Sequence, residues 1–400
     1  MKSSDHKPGF SAFVTGLLPL FLLAHFVHHL LTALPTPLLP MIRSDFSLDY
    51  TLSGLVISAF NISYGIGQLP GGWLADRLRP RIMITVGVCG AALAGFLIGF
   101  SQNFWMMLIF LAFMGVLGGG YHPAAPAMIS TAVSREHQGR ALGLHMVGGS
   151  ASFFLAPLIA VGIASYWGWR GSFISLSVIT LLFGIIFYIV LGRIVVGKQV
   201  ERKFAKRSSD PSAVPGRFRH LIIFILMSTI SGAVLFSAMS FIPLYLVDKV
   251  GFSKETAGAF YAFIYSAGLW VSPLGGYLSD RLGAIPVVLV VLFLAGPVIY
   301  LLNFASSWLS IGILLLLIGT IIYVRMPVSE AYIVARTSEH NRSTILGIYF
   351  FGHMEGIGVL APVMGYLIDR LGFYNSFTIA GVILVVVPLI GSLLLRGSRA

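Results

Sequence analysis

The stretch Gly71-Gly72-Trp73-Leu74-Ala75-Asp76-Arg77-Leu78 recurs in the second half of the chain as Gly275-Gly276-Tyr277-Leu278-Ser279-Asp280-Arg281-Leu282. The two copies are 204 residues apart, and the same shift relates Gly54 to Gly258, Pro123 to Pro327 and Gly143 to Gly347. Similarity at one fixed shift is the mark of an internal repeat. The sequence therefore predicts two copies of one structural unit, each with a short charged turn at the matching place.

The composition is that of a chain surrounded by lipid. Mean hydropathy is +0.90 and charged residues make up 10% of the chain, whereas a soluble protein carries about 25%. The formal charge of +12 lies in short loops between apolar runs, so we predict no nucleic-acid partner. The single cysteine, Cys89, excludes an intrachain disulfide and a cysteine-based metal cluster. The sequence shows no phosphate-binding loop or catalytic triad, and we predict no enzymatic activity and no cofactor.

The apolar runs predict an all-α membrane protein with twelve transmembrane helices in two pseudo-symmetric six-helix bundles. Each run can cross a hydrocarbon layer of about 30 Å at about 1.5 Å per residue. The predicted helices lie near residues 11–41, 50–75, 80–100, 104–133, 138–165, 170–196, 220–247, 254–279, 284–302, 307–335, 342–368 and 373–395.

The basic residues predict the orientation of these helices. With the N-terminus inside, 20 lysines and arginines fall in cytoplasmic segments and five in outer loops, so we predict that both termini are cytoplasmic. The longest polar stretch divides the chain into an N-terminal bundle (1–196), a basic linker (197–219) and a C-terminal bundle (220–400). We predict a monomer in a bacterial inner membrane.

The charged turn between the predicted helices 2 and 3 resembles the signature loop of the major facilitator superfamily, and so does its copy between helices 8 and 9. The resemblance covers nearly the whole chain, and it implies the two-bundle fold, secondary transport, and a cavity lined by helices 1, 4, 7 and 10. The residues to which it implies a gating role are Gly72, Asp76, Arg77, Arg81, Gly276, Asp280 and Arg281.

The residue types of this turn suit a gate on physical grounds as well. Glycines let two helices approach closely, and an aspartate at a helix end accepts hydrogen bonds from a neighbouring helix N-terminus. We therefore expect Asp76 to act on conformation rather than on substrate. A third similar string, at residues 365–372, falls on the outer side in this topology, and we assign it no gating role.

Helix 4 carries a narrower resemblance. Its segment Gly118-Gly119-Gly120-Tyr121-His122-Pro123 is similar to the glycine-rich His-Pro segment of the fosmidomycin-resistance type of efflux protein, which implies export. Drug:proton antiporters of the superfamily tend to have an arginine four residues before a glycine in this helix. This chain has Met114 at that place, so import stays open.

Ionisable residues inside a span cost about 2.5–3.5 kcal/mol on insertion scales and are therefore functional candidates. Arg325 in helix 10 is the candidate for binding an anion, because its planar fork pairs with carboxylate or phosphonate. A buried structural ion pair is the alternative. Glu355 in helix 11 lies at a similar depth, which allows it to pair with Arg325 across helices when substrate is absent, whereas Glu330 lies on another face of helix 10 from Arg325.

Histidines concentrate in helix 1, where His25 shares a face with His28 and His29. With His122 of helix 4 they are predicted to line the outer half of the cavity, while His145 of helix 5 is predicted to be structural. Three interpretations stay open: proton relay or substrate contact, interhelical hydrogen bonding, and a transition-metal site. Spacing alone shows no converging geometry, and we assign no metal. The predicted substrate contacts are Arg325, His122, His25, Tyr121 and Tyr323, and the predicted proton carriers are Glu355, Glu330, His28 and His29.

Together these features predict a secondary active exporter of a small organic compound, driven by protons. Residues 1–196 are expected to rock against residues 220–400, with a small-molecule substrate, protons and membrane lipid as partners. Two alternatives stay open. One is a proton-coupled importer of an organic anion or metal chelate, and the other is a non-transporting membrane receptor or scaffold.

Overall fold

The computed structural model describes residues 16–77, 80–133, 137–196, 215–337 and 342–396. Within these ranges the chain is helical and contains no strand. Most of the predicted linker, residues 197–214, lies outside them, as does the start of the predicted first helix.

The helices of the described ranges follow one another along the chain. They are α1 Leu17–Thr32, α2 Leu39–Phe46, α3 Tyr50–Arg77, α4 Pro80–Gly99, α5 Phe104–Gly118, α6 Tyr121–Ala132, α7 Gln138–Val196, α8 Pro215–Ser240, α9 Ile242–Asp248, α10 Lys254–Ser266, α11 Ser272–Leu282, α12 Ala284–Leu301, α13 Trp308–Arg336 and α14 Arg342–Arg396. Short 3-10 turns follow α10 at Ala267–Leu269 and α12 at Leu302–Phe304.

Eight stretches of the described ranges are long and apolar enough to cross a membrane. Two of them, Ala141–Arg193 and Thr344–Leu395, each contain two of the predicted helices. Each of these two stretches breaks at a glycine with positive φ, Gly168 (φ 67°) or Gly372 (φ 75°), a conformation that glycine adopts without steric cost. The 204-residue shift relates these two glycines, and the total of twelve spans stays a prediction.

The helices predicted over 11–41, 104–133, 220–247 and 254–279 are each interrupted in the structure. The chain leaves the helix between α1 and α2, between α5 and α6, between α8 and α9, and between α10 and α11. Prolines stand at the starts of α9 and α11, where the missing N–H of proline has no helical partner to lose. Hydropathy reports which residues face lipid and carries no information on these backbone breaks.

The repeated glycines mark matching close contacts in the two halves of the chain. A Cβ on Gly71 would lie 2.8 Å from the Cα of Gly120, and a Cβ on Gly275 would lie 3.1 Å from the Cα of Val324. The 204-residue shift that relates the glycines also relates their neighbours. A Cβ at Gly71 has no room unless the backbone of Gly120 shifts, and a Cβ at Gly275 would be in tight contact with Val324, so both positions serve close helix packing.

The helices form two compact units. The first unit comprises Met1–Leu38 and Ser63–Glu201, and the second comprises Leu39–Ile62 and Arg202–Ala400. Residues 39–62, which the sequence analysis places in the N-terminal bundle, therefore pack with the second unit. Buried apolar side chains fill both cores, among them Phe21, Ile84 and Phe187 in the first and Phe224, Leu292 and Ile333 in the second.

Candidate functional site

Five histidines and two tyrosines gather inside the first unit, and we call this group the histidine cluster. The ring of His25 lies 4.9 Å from that of His29 and 5.5 Å from that of His122, measured between centroids. All members are buried except His122, which is half-buried. The structure thus brings the predicted histidines of helices 1 and 4 together. The members are His25, His28, His29, Tyr64, Tyr121, His122 and His145.

Ring stacking organises the cluster. His28 stacks on Tyr121 at 4.5 Å with an interplanar angle of 11°, and His28 Nε2 lies 3.1 Å from the hydroxyl oxygen of Tyr64. His145 stacks on His25 at 4.3 Å and 16°, so it belongs to the cluster rather than to the surrounding packing alone. Gly149 makes the room, because a Cβ there would lie 2.6 Å from Cε1 of His25.

A second group of polar side chains lies inside the second unit, and we call it the arginine site. Its members are Arg325, Ser228, Ser329, Tyr349, His353 and Gly232. Arg325 on α13 is 0% exposed, and its Nη1 donates to the Ser228 carbonyl oxygen at 2.9 Å. The same nitrogen lies 3.2 Å from Ser228 Oγ and 3.4 Å from the Tyr349 hydroxyl. Among the described residues, no carboxylate forms an ion pair with this guanidinium.

Gly232 holds the arginine site open. A Cβ on this glycine would lie 2.8 Å from Arg325 Nη1 and 2.9 Å from His353 Nδ1, so both groups face the same glycine of α8. Arg325 Nε and His353 Nδ1 are buried and have no hydrogen-bond partner among the described protein groups. A permanently charged guanidinium beside hydroxyl groups is suited to binding an anion. Sequence reasoning missed Tyr349, Ser329 and Gly232, because residue spacing does not tell which helix faces which.

One pairing that the predicted depths allow is absent. Glu355 does not pair with Arg325: the guanidinium bonds to α8 and to Tyr349 instead. Glu355 is half-buried, and its Oε1 has no hydrogen-bond partner among the described residues. The ring of Tyr323, a predicted substrate contact, packs against Gly268 in the 3-10 turn that follows α10. Glu330 likewise forms no ion pair with a described residue, in line with its predicted position on another face of helix 10.

The predicted gating residues are described only in part. The surroundings of Gly72 and Gly276 and the side chain of Asp76 lie outside what the structure describes, while Arg77 and Asp280 are exposed. Arg81 lies over the ring of Tyr188 at 3.7 Å, and Arg281 lies over that of Tyr277 at 4.7 Å. The gating role of this set stays a prediction.

Asp369, at the end of the first half of α14, caps the N-terminus of α3 within the second unit. Its carboxylate accepts hydrogen bonds from the backbone N–H groups of Tyr50 at 3.0 Å and Thr51 at 2.8 Å, and from Thr51 Oγ1 at 2.5 Å. The negative charge also favours the helix dipole there. The string at residues 365–372, to which we assigned no gating role, thus joins segments from the two halves of the chain.

An ion pair lies close by in the same unit. Arg43 Nη1 donates to Asp248 Oδ2 at 2.5 Å, and the Tyr50 hydroxyl donates to the same oxygen at 2.6 Å. The guanidinium also lies over the Tyr50 ring at 4.2 Å. We call Arg43, Tyr50, Thr51, Asp248 and Asp369 the end cluster. These contacts account for the packing of residues 39–62 with the second unit.

Comparison with known proteins bears on both candidate sites. Residues 21–324 and 265–400 match the Major Facilitator Superfamily. The chain is 26% identical over 374 residues to a probable sulfoacetate transporter, SauU, of Cupriavidus necator, covering 86% of this chain and 85% of that protein. It is 27% identical over 342 residues to the multidrug resistance protein MdtG of Klebsiella pneumoniae, with 83% and 81% covered.

Solved structures share the fold. A bacterial homolog of the human lysosomal transporter Spinster, in an inward-facing and occupied conformation, superposes with a TM-score of 0.78 at 18% identity, covering 98% of this chain and 97% of that one. A POT family transporter in complex with a thioalcohol-conjugated peptide gives a TM-score of 0.80 at 12% identity, with 96% of each chain covered.

Proposed function

The chain belongs to the Major Facilitator Superfamily, and we propose that it is a proton-coupled exporter of a small organic compound that carries an anionic group. At the coarser level it is an integral membrane protein and a secondary transporter, not an enzyme. Transporters of this superfamily are built from two related halves, which agrees with the 204-residue repeat of the sequence.

The buried guanidinium of Arg325 is the observation that carries the proposal. Removing a cation from water is costly, and a carboxylate partner normally offsets part of that cost. Here the described residues supply hydroxyl and carbonyl oxygens but no carboxylate within ion-pair distance. An arginine kept inside a span without a carboxylate at ion-pair distance is suited to bind the anion of a substrate.

The names of the relatives support the class of compound and the direction. Sulfoacetate, the compound in the name of one relative, carries a sulfonate and a carboxylate, both of which match the guanidinium fork. Multidrug resistance, in the name of the other, fits export. The glycine-rich His-Pro segment at residues 118–123 resembles the fosmidomycin-resistance type of exporter, and we infer export from that resemblance also.

We assign the coupled proton to Glu355 or Glu330. Carboxyl groups inside spans form the proton relays of transporters, and Oε1 of Glu355 has no hydrogen-bond partner among the described residues. Because Glu355 and Arg325 do not touch, coupling by direct competition for the guanidinium has no support. Coupling through helix movement is the scheme that we infer instead.

The end cluster supplies a latch for alternating access. The predicted orientation places residues 43–51, 248 and 369 on the outer side of the membrane, with both termini in the cytoplasm of a bacterial cell. We infer that opening this side breaks the bonds of Asp369 to α3 and the Arg43–Asp248 pair. The predicted domains, residues 1–196 and 220–400, are the two bodies that we expect to move.

The test is the content of candidate compounds in cells that express the chain, measured over a panel of sulfonates, carboxylates and phosphonates. We expect a lower content of one of these anions with the wild type than with Arg325→Met, and loss of the difference when the proton gradient is dissipated. A higher content establishes import. Equal contents with both variants for every compound contradict transport of an anion through Arg325.

A further inference from the structure

Three histidines of the histidine cluster point their ligand nitrogens at a common position. One nitrogen each of His25, His29 and His122 lies within 4.8 Å of the other two. The ring centroids are 4.9, 5.5 and 5.2 Å apart for the pairs His25–His29, His25–His122 and His29–His122. His25 and His29 come from adjacent turns of α1, and the start of α6 brings in His122. The convergence that residue spacing leaves open is thus present in the fold.

A backbone carbonyl fixes the tautomer of His25. Its Nδ1 lies 3.0 Å from the carbonyl oxygen of His145. A carbonyl oxygen only accepts, so Nδ1 carries the proton, and in the neutral ring Nε2 then holds a lone pair. This Nε2 is buried and has no hydrogen-bond partner among the described protein groups. The ring therefore keeps a lone pair that no described protein group uses.

Thr32 fixes the tautomer of His29 in the same sense. The Thr32 hydroxyl donates its proton to the His28 carbonyl oxygen at 3.3 Å. Its oxygen is then an acceptor for His29 Nδ1, which lies 3.0 Å away. His29 consequently carries its proton on Nδ1 and a lone pair on Nε2. A histidine that ligates a metal typically donates its other N–H to just such an oxygen, which sets the tautomer and the ring orientation.

We propose that His25, His29 and His122 form a binding site for a divalent transition-metal ion of the Zn²⁺ class. Three neutral imidazoles and one open position are a known coordination set for Zn²⁺, and imidazole also suits Co²⁺ and Ni²⁺. The rings reach metal–nitrogen distances of about 2.0–2.1 Å if each moves inward by less than about 1 Å. The fourth position takes a water molecule or an anionic oxygen.

The rest of the cluster supports a metal rather than a hydrogen-bond network alone. Interhelical hydrogen bonding leaves few buried polar atoms without a partner. Here His25 Nε2 and His28 Nδ1 both lack one among the described groups. Stacking of His145 on His25 and of His28 on Tyr121 holds the rings in place before an ion enters. A pre-organised set of lone pairs is what binding of a soft or borderline cation requires.

Co²⁺ is the probe that tests the proposal, because a four-coordinate site gives it a ligand-field spectrum in visible light. The measurement uses the full chain, purified without a histidine tag, in detergent or nanodiscs. We expect one Co²⁺ per chain with a four-coordinate spectrum, displaced by Zn²⁺. His122→Gln is expected to remove the spectrum, whereas His220→Gln leaves it unchanged, because His220 bonds to the carbonyl oxygen of Leu395 in the second unit.

Thr32→Val is the variant that keeps all three imidazoles and removes the acceptor of His29, together with the bond of the same hydroxyl to the His28 carbonyl. Loss of an outer-shell partner of this kind weakens metal binding about 10- to 100-fold, so we expect the Co²⁺ affinity to fall by that factor. The proposal is overturned if the wild type gives no four-coordinate Co²⁺ spectrum. It is also overturned if the wild type, His122→Gln and Thr32→Val give equal Co²⁺ spectra. If His122→Gln does not fold, the affinity of Thr32→Val decides.

Discussion

Arg325→Met is expected to separate stability from function. The wild-type guanidinium is 0% exposed and has no carboxylate partner among the described residues. Placing an arginine at the centre of a span costs about 2.5–3.5 kcal/mol on insertion scales. Of the three hydrogen bonds of the guanidinium, only the 2.9 Å bond to the Ser228 carbonyl oxygen is short. A hydrogen bond from a charged donor contributes about 1.5–3 kcal/mol to stability.

The two contributions nearly offset one another, so Arg325→Met should leave the free energy of unfolding unchanged or raise it by about 1 kcal/mol. Replacement of buried ions by apolar residues of similar volume follows this pattern in other proteins. Substrate affinity should fall at least about 30-fold, since truncating one partner of a buried charge pair costs about 2–5 kcal/mol. Arg325→Lys keeps the charge without the planar fork, so its substrate affinity should lie between those of the wild type and Arg325→Met.

Denaturant unfolding in detergent, followed by circular dichroism, measures the stability of the three proteins side by side. A loss of more than about 2 kcal/mol in Arg325→Met, at the scale expected when a buried network is broken, would refute the reasoning. In that case the guanidinium is a structural element of the second unit.

Two further substitutions test the geometry of the second unit. Gly232→Ala places a Cβ 2.8 Å from Arg325 Nη1 and should weaken anion binding in equilibrium dialysis. Gly347→Ala is the control and should leave the anion affinity unchanged, because a Cβ there has nothing within 4 Å. Equal anion affinities of the two variants would contradict the assignment of the site. Asp369→Ala removes the cap of α3, worth about 0.5–2 kcal/mol, and should shift the population toward outward-open states by about 2- to 30-fold. Cysteine labelling of the cavity measures this shift, with Arg370→Ala as the control. Labelling that Asp369→Ala leaves unchanged would exclude a latch at Asp369.

Much of the fold follows from the sequence, because the repeat and the apolar runs are local signals. The breaks at Gly168 and Gly372 fall where the predicted helices end, and the glycines of the repeated turn make the close contacts that their type suggests. The break at residues 119–120 was missed, since an apolar run continues across it. Hydropathy reports the surrounding solvent, not backbone continuity.

The sites were less accessible to sequence reasoning, because they depend on which helix faces which. Spacing along α1 is enough to place three histidines on neighbouring positions, but the stacking of His145 on His25 depends on the approach of α7, where Gly149 leaves room for the His25 ring. The partners of Arg325 were mistaken for the same reason: Glu355 has a similar predicted depth but does not reach the guanidinium. Asp369 carried a usable signal, since it ends a helix as Asp76 does. We assigned its string no gating role because it lies on the outer side in the predicted topology.

Counterflow in proteoliposomes tests the central claim most directly, that the chain transports an organic anion through Arg325. Vesicles loaded with an unlabelled sulfonate or carboxylate from the cell panel are diluted into the labelled compound, and uptake is followed with wild type, Arg325→Met and Arg325→Lys. We expect accumulation of label with the wild type, reduced accumulation with Arg325→Lys and none with Arg325→Met. Accumulation with Arg325→Met equal to that of the wild type would contradict that claim.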